Sequence, residues 1–338
     1  MGYIASFSVY GYPPTNMTAI GNTPLIQLKV LPGSDDAEVW VKWEGANPTG
    51  SMKDRMALSM ILGAEATGML KPGGTVMDYT GGSTGSSLAM VCATRGYKAH
   101  FVSSDAFAES KLNTMRAFGA ILDILPSVNR QITPELFERC FARVNELKSQ
   151  PGYFYTDQFN NPDNRRAYHA MAQEILEALN GRIDEFVAGV GTGGCFSGNT
   201  EYFKEHMPQT KCYAIEPMNS QPLAGKGKTG GHRLEGMGSG IIPGGCRIDL
   251  ADGFIPVTDE DAVNTARLLA TQEGIFGGTS SGANVYVALQ RAKELGRGKR
   301  IVTVVCDSGL KYLDGELYRY RSPKNGIAPG SNEPGAIS

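Results

Sequence analysis

The stretch Glu185-Phe186-Val187-Ala188-Gly189-Val190-Gly191-Thr192-Gly193-Gly194-Cys195-Phe196-Ser197 decides the fold class. It opens as an apolar run of strand length, turns through glycines, and is expected to enter a helix near Ser197. A strand, a glycine turn and a helix N-terminus make an anion site, because free N–H groups and the positive end of the helix dipole face the same point. A phosphate is the expected guest of Gly191, Thr192, Gly193 and Gly194. Which phosphate stays open at this level. Gly189, Gly191 and Gly194 also satisfy GxGxxG, and Glu216 ends the next strand about where a ribose-binding acid would sit, so an NAD-dependent dehydrogenase is the alternative from another class. That fingerprint normally follows the first strand of its domain, whereas here it lies deep in the chain. Gly227-Lys228-Thr229 fails as a Walker loop because position 222 is Pro.

Outward from this unit the same alternation recurs. Strands are expected over Glu38–Trp43, Thr75–Tyr79, Ala99–Ser103, Ile121–Leu125, Glu185–Val190, Cys212–Ile215 and Ile301–Val305. Helices are expected over Asp54–Glu65, Ser86–Thr94, Ala108–Phe118, Pro134–Leu147, Arg166–Leu179, Asp259–Glu273 and Asn284–Glu294. Alternating strands and helices imply parallel sheets covered on both faces, an α/β class. The units fall into two sets around a Pro151–Asn164 loop, which predicts two doubly wound open-sheet domains with a cleft between them. The expected division is a smaller mobile domain over 48–155, a larger one over 1–47 plus 156–320, and a flexible Pro/Gly-rich tail over 321–338.

Composition narrows the function. The 338 residues are 41% hydrophobic and 20% charged with net charge −2, an ordinary globular balance without the basic footprint of a nucleic-acid or anionic-membrane binder. No apolar run approaches membrane-spanning length, and Met1–Thr18 lacks the basic start of a secretory signal. The six cysteines are dispersed without a CxxC pair, and the four histidines lack zinc spacing. A cytoplasmic, metal-free protein acting on small molecules is expected.

Two further segments carry chemistry. Thr80-Gly81-Gly82-Ser83-Thr84-Gly85 follows a strand and precedes a helix, and its hydroxyls and N–H groups suit a carboxylate or a helix cap. In Asn47-Pro48-Thr49-Gly50-Ser51-Met52-Lys53-Asp54-Arg55, Lys53 opens a helix, where the dipole disfavours a cation and so favours a Schiff-base amine over a solvated surface charge.

At these residues the sequence resembles the cysteine synthase (O-acetylserine sulfhydrylase) and cystathionine β-synthase family, of the tryptophan-synthase-β-like fold that binds pyridoxal 5'-phosphate. The resemblance runs from about Ile20 to Leu317. It is carried in order by Gly21–Leu25, Lys42-Trp43-Glu44, Asn47–Arg55, Thr80–Gly85, Asp157-Gln158-Phe159 with Asn161-Pro162, Gly191–Gly194, Glu235–Gly240 with Ile242-Pro243, Ser280-Ser281-Gly282-Ala283 and Asp307-Ser308-Gly309. It implies that Lys53 holds the cofactor as a Schiff base and later shuttles the α-proton. Gly191, Thr192, Gly193 and Gly194 would cradle the phosphate, with Cys195 beside them. Thr80, Gly81, Gly82, Ser83, Thr84 and Gln158 would surround the substrate carboxylate. Ser308 would hydrogen-bond the pyridine nitrogen, Gly236 and Ser239 would bind the substrate, and the Ser239-Gly240 pair would leave room near it.

The implied reaction is β-replacement on a serine-derived amino acid through an aminoacrylate, most simply with O-acetylserine and sulfide. β-Elimination, as in a cysteine desulfhydrase or serine dehydratase, is the neighbouring alternative. A homodimer is implied by the resemblance alone. The chain departs from the family pattern at several places: Ser83 stands where asparagine faces the cofactor ring oxygen, Gly81 where serine is usual, and Cys195 where threonine follows the phosphate glycines. Ala170-Met171-Ala172 replaces Thr-Thr-Gly.

Overall fold

A computed structural model describes residues 15–131, 133–227 and 230–319, so the expected tail over 321–338 lies outside the described residues. Strands β1 (Leu25–Gln27) and β2 (Glu38–Trp43) precede helix α1 (Lys53–Ala66). Then come β3 (Thr75–Tyr79), α2 (Ser83–Arg95), β4 (Lys98–Ser104), α3 (Glu109–Ala117), β5 (Ile121–Leu125), α4 (Pro134–Lys148) and β6 (Tyr153–Tyr155). The chain continues through α5 (Pro162–Arg166), α6 (His169–Ala178), β7 (Glu185–Gly189), α7 (Gly194–His206), β8 (Lys211–Pro217), β9 (Gly253–Val257), α8 (Asp259–Glu273), α9 (Thr279–Leu295) and β10 (Arg300–Val305).

Two open sheets result. One has four parallel strands in the order β5-β4-β3-β6. The other has six in the order β1-β2-β10-β7-β8-β9, parallel except for the antiparallel edge strand β1. Val76, Met77, Asp78 and Tyr79 of β3 are all buried, as are Glu185, Phe186, Val187 and Ala188 of β7. Burial of successive residues means that both faces of each strand are covered, which is why these segments read as continuous apolar runs. Helix α1 carries buried Met56, Leu58, Met60 and Ile61 around most of its circumference and joins the largest core, which also takes in α2, α6 and α7.

Several boundaries differ from expectation, each for a local reason. Helix α7 begins at Gly194 rather than near Ser197, because Gly193 turns the chain at φ +87, a left-handed conformation that glycine adopts without a Cβ penalty. Helix α2 begins at Ser83 rather than Ser86, so Ser83 and Thr84 form its first turn. The helix expected over Arg166–Leu179 is broken at Ala167–Tyr168 into α5 and α6. There Tyr168 is buried and donates its hydroxyl to the Met52 carbonyl at 3.2 Å, which props the turn before Lys53. The Pro151–Asn164 segment holds strand β6, which pairs with β3 and is therefore part of the four-stranded sheet.

Candidate active site

The loops after β3, β7 and β10 open into one cavity of about 1480 Å³ between the two sheets. Lys53, Thr80–Thr84, Gln158, Gly191, Thr192, Gly236, Ser239 and Ser280 all line it. Parallel strands place their C-terminal loops on one side, so residues far apart in sequence converge there.

The turn carrying Lys53 is pinned to the end of β10. Met52 N–H donates to the Cys306 carbonyl at 2.9 Å and Ser308 N–H to the Gly50 carbonyl at 2.9 Å. Asp54, in the first turn of α1, is buried and accepts from Thr49 N–H (2.8 Å), Thr49 Oγ1 (2.5 Å) and Ser87 Oγ (2.6 Å). Beneath this turn Arg55 makes two forked ion pairs. Its Nε and Nη2 reach Glu44 at 2.8 and 2.9 Å, and Nη1 and Nη2 reach Glu174 at 2.8 Å each. Lys42 Nζ joins at 2.6 Å from Glu174. Burial pushes the Glu174 carboxyl up, but Arg55 and Lys42 outweigh it and hold the group down at about 2. The chain neighbours of Lys53, Ser51, Met52 and Asp54, are buried, and burial pushes the nearby Cys306 thiol up to about 12, against the opposing pull of Lys53.

In the second loop Thr80 Oγ1 accepts from Gly85 N–H at 3.1 Å, closing the loop on itself. Thr84 donates to Gln158 Oε1 at 2.9 Å, and Gln158 Nε2 donates to the Tyr79 carbonyl at 3.0 Å. Asp78, fully buried behind them, accepts from Thr156 Oγ1 and from Tyr79 N–H at 2.7 Å, and burial pushes its carboxyl up to about 7.

The glycine loop after β7 is closely packed. A Cβ on Gly191 would fall 2.2 Å from the Gly236 carbonyl oxygen, and one on Gly194 2.0 Å from Asn164 Oδ1, a buried atom with no partner among the described residues. Gly191 and Thr192 face the cavity, with Asn164 Nδ2 donating to Thr192 Oγ1 at 3.0 Å, while Gly193 and Gly194 lie buried behind them. The free N–H groups of the α7 N-terminus therefore have a tight glycine cradle and the helix dipole beside them, and these donors fit a phosphate.

Three residues singled out in the sequence, Ser308, Cys195 and Glu216, do not line the cavity. Ser308 Oγ accepts from Leu310 N–H at 3.3 Å and its backbone is tied to Gly50, whereas Ser280, in the first turn of α9, lines the cavity with its side chain hydrogen-bonded to the Cys306 thiol. The Ser280-Ser281-Gly282 motif was the available signal for it. The Cys195 thiol is turned away into the core shared with Met171, with its carbonyl accepting from Asn199 Nδ2 at 2.8 Å. Glu216 is not free for a ribose, since its two oxygens accept from Leu223 and Ala224 N–H at 2.7 and 3.0 Å. Sequence reading also missed Asn164, which locks the two loops together, and Phe107, which lies over Gly81.

Lys53 at the head of α1, the glycine loop at the α7 N-terminus and the Thr80–Thr84 loop meet in one cavity, and a family model described as pyridoxal-phosphate dependent enzyme matches residues 17–307. The chain belongs to this family. Its similarity to individual members is high. It is 42% identical over 311 residues to a cysteine synthase of Staphylococcus aureus, covering 91% of this chain and 98% of that one. A solved hydrogen sulfide-producing enzyme from Fusobacterium nucleatum matches with TM-score 0.82 and 37% identity, covering 89% of this chain and all of the other. A cysteine synthase from Entamoeba histolytica matches with TM-score 0.84 and 33% identity, covering 92% of each chain. The fold is thus the tryptophan-synthase-β-like fold of these pyridoxal-phosphate enzymes, and the chain is a cysteine synthase-like enzyme of that family.

Proposed function

We propose that this pyridoxal-phosphate enzyme makes cysteine, or a close analogue, by β-replacement on O-acetylserine or a related serine-derived donor with sulfide. The observation that carries the reading is the convergence of Lys53, the Gly191-Thr192 cradle and the Thr80–Thr84/Gln158 pair on one cavity. The bound cofactor supplies an electron sink that makes the substrate α-proton acidic and lets a β-substituent leave and be replaced. Everything else falls to this chain. The N-terminus of α7 and Thr192 would hold the phosphate. Lys53 Nζ would anchor the cofactor and would take up and return the substrate α-proton. Thr80–Thr84 and Gln158 receive the substrate carboxylate. Ser280, which lines the cavity, would offer a neutral hydroxyl to the ring nitrogen. Gly236 and Ser239 border the space for the β-substituent.

Residues 48–155 act as the smaller unit and close on the larger one when the carboxylate is bound, excluding water. Lys111 on α3 and Glu235 in the opposite loop are ion-paired across the cleft, which supports such a closure. The enzyme works as a homodimer in the cytoplasm. Its six free cysteines accord with a reducing compartment, and among the described residues no helix is long and apolar enough to cross a membrane.

β-Elimination is the second reading, supported by the likeness to a hydrogen sulfide-producing enzyme. One experiment separates the two. The holoenzyme is titrated with O-acetylserine, O-phosphoserine, serine and cysteine, with visible absorbance, sulfide and pyruvate followed together. Net cysteine formation from a donor plus sulfide supports replacement; pyruvate and sulfide released from cysteine as the fastest process would transfer the assignment to elimination. In Lys53→Ala the visible absorbance of the lysine-bound cofactor should vanish and turnover fall by at least ~10²–10⁴-fold, while the apo-protein melts as the wild-type apo-protein does.

A further inference from the structure

We propose that Phe107 is a specificity-determining residue: with Phe137 it gives the site an apolar wall for the group carried on the substrate's β-carbon. The inference rests on the reading of this cavity as a β-replacement centre and goes further by naming the substrate class.

The observation is steric. A Cβ built on Gly81 would lie 2.2 Å from each of Cγ, Cδ1 and Cδ2 of Phe107. No carbon approaches an aromatic ring that closely, so a side chain at position 81 and the ring of Phe107 exclude one another. Where the loop would otherwise carry a small hydroxyl, this protein presents the face of a phenyl ring, and both residues line the cavity.

The ring is held rather than swinging free. It sits in the turn between β4 and α3, where Ser104 Oγ accepts from Ala106 N–H at 3.2 Å and the Ser104 carbonyl accepts from Phe107 N–H at 3.2 Å. Asp105 Oδ1 accepts from Ser127 N–H (2.7 Å) and Ser127 Oγ (2.6 Å), which ties the turn to the strand beside it. Behind the ring Tyr79 lies 6.3 Å from Phe107 and 5.4 Å, edge to face, from Phe137, both centroid to centroid. Phe137 remains 37% exposed, on the cavity side. Of the cations near this wall, Lys111 is paired with Glu235.

An aromatic face offers a carboxylate or a hydrosulfide no hydrogen bond, and it rewards an apolar group that displaces water from it. The class this wall suits is alanine derivatives with an alkylthio or arylthio β-substituent, which arise when the incoming nucleophile is an organic thiol. In that turnover the donor's Cβ–O bond breaks and a Cβ–S bond forms, the thiol proton going to solvent and the carboxylate leaving as the anion.

The test uses the holoenzyme and amino acids that have no β-leaving group: L-alanine, L-2-aminobutyrate, L-norvaline, L-methionine and L-phenylalanine, each titrated by calorimetry. Wild-type affinity is expected to rise by about tenfold or more from alanine to phenylalanine, a usual worth for partial burial of an aromatic group. Phe107→Ala removes the wall and Gly81→Ser displaces it from the other side of the same contact, and each should cut that rise to under about threefold. Affinity that is flat or falls along the series in the wild type overturns the proposal, as does a Phe107→Ala variant that weakens all five ligands equally, the mark of a structural role. If alanine itself fails to bind, the reading of the cavity as an amino-acid site fails, and this inference with it.

Discussion

Thr84 and Gln158 share a hydrogen bond of 2.9 Å from the threonine hydroxyl to the glutamine Oε1, although 74 residues separate them in the chain. One lies in the first turn of α2, the other in the turn before α5, so the loops that follow the neighbouring parallel strands β3 and β6 are joined at the cavity. Gln158 also donates to the Tyr79 carbonyl, which fixes its amide against the strand that launches the other loop.

Breaking that bond should therefore affect substrate capture more than the fold. Thr84→Val keeps the shape of the side chain and removes the donor, at a usual cost of ~1 kcal/mol. The expected result is a fall of about five- to tenfold in kcat/KM for the amino-acid donor, mainly in KM, with melting temperature nearly unchanged. Steady-state kinetics with a saturating nucleophile measure it, and an unchanged KM would remove Thr84 from the carboxylate site.

The cluster under α1 predicts a stability effect instead. Lys42 is 2% exposed, and its ion-pair partner is Glu174, which also bridges Arg55. Glu174→Ala leaves buried positive charge without its counter-ion, a change that typically costs ~3–5 kcal/mol. Urea unfolding should show the midpoint drop accordingly. Because the Glu174 carboxyl is held down at about 2, its contribution is complete above the ordinary glutamate range and is lost as pH falls toward 2. The difference between wild type and variant should then shrink in acid.

How much of this was legible beforehand can be argued from particular elements. β2, β3 and β5 have the expected bounds; in β3 the run is buried from Val76 to Tyr79 and stops between Gly74 and Thr80. β9 was missed because Pro256 interrupts Gly253–Val257, and proline is tolerated there only because the strand is at the sheet edge. β1 and β6 are three residues each, too short for a period to register. Within the site, Lys53 and the Gly191–Gly194 loop stood out because their backbone demands select unusual residues. Asn164 and Phe107 did not. Their roles depend on what faces them across the cleft, and no local pattern records that.

Asp78 predicts an opposite pH trend to Glu174. Burial pushes its carboxyl up to about 7, with Asp157 adding to the rise and hydrogen bonds from Thr156, Tyr79 and Gln158 opposing it. The folded state thus holds this proton more tightly than the unfolded chain. Stability from the group is full below the ordinary aspartate range and is lost as pH rises through about 7, by at most ~4 kcal/mol on the usual conversion. Asp78→Asn carries no such charge. Between pH 5 and 8 the wild type should lose stability relative to the variant, as read by denaturant midpoints at each pH. Parallel curves for the two proteins would mean that Asp78 ionises normally.

The departures at Gly81 and Ser83 should set the choice of donor. The family resemblance implies serine and asparagine at these two places, and both face the cavity here as smaller groups. A missing side chain leaves space and unpaired polarity that a different substrate can use. Gly81→Ser with Ser83→Asn should accordingly move relative kcat/KM toward O-acetylserine and away from O-phosphoserine, serine and cysteine. The structure adds a condition, since a side chain at position 81 meets Phe107 at 2.2 Å. The double variant alone must push the ring aside, so its shift should be partial, and adding Phe107→Ala should bring it to about tenfold, or ~1.4 kcal/mol on the transition-state scale. Suppose both variants keep the wild-type ranking of all four amino acids to within about twofold, ~0.4 kcal/mol. The loop residues would then be neutral, and the determinant of donor choice would lie on the opposite wall of the cavity, first among Arg233–Ser239.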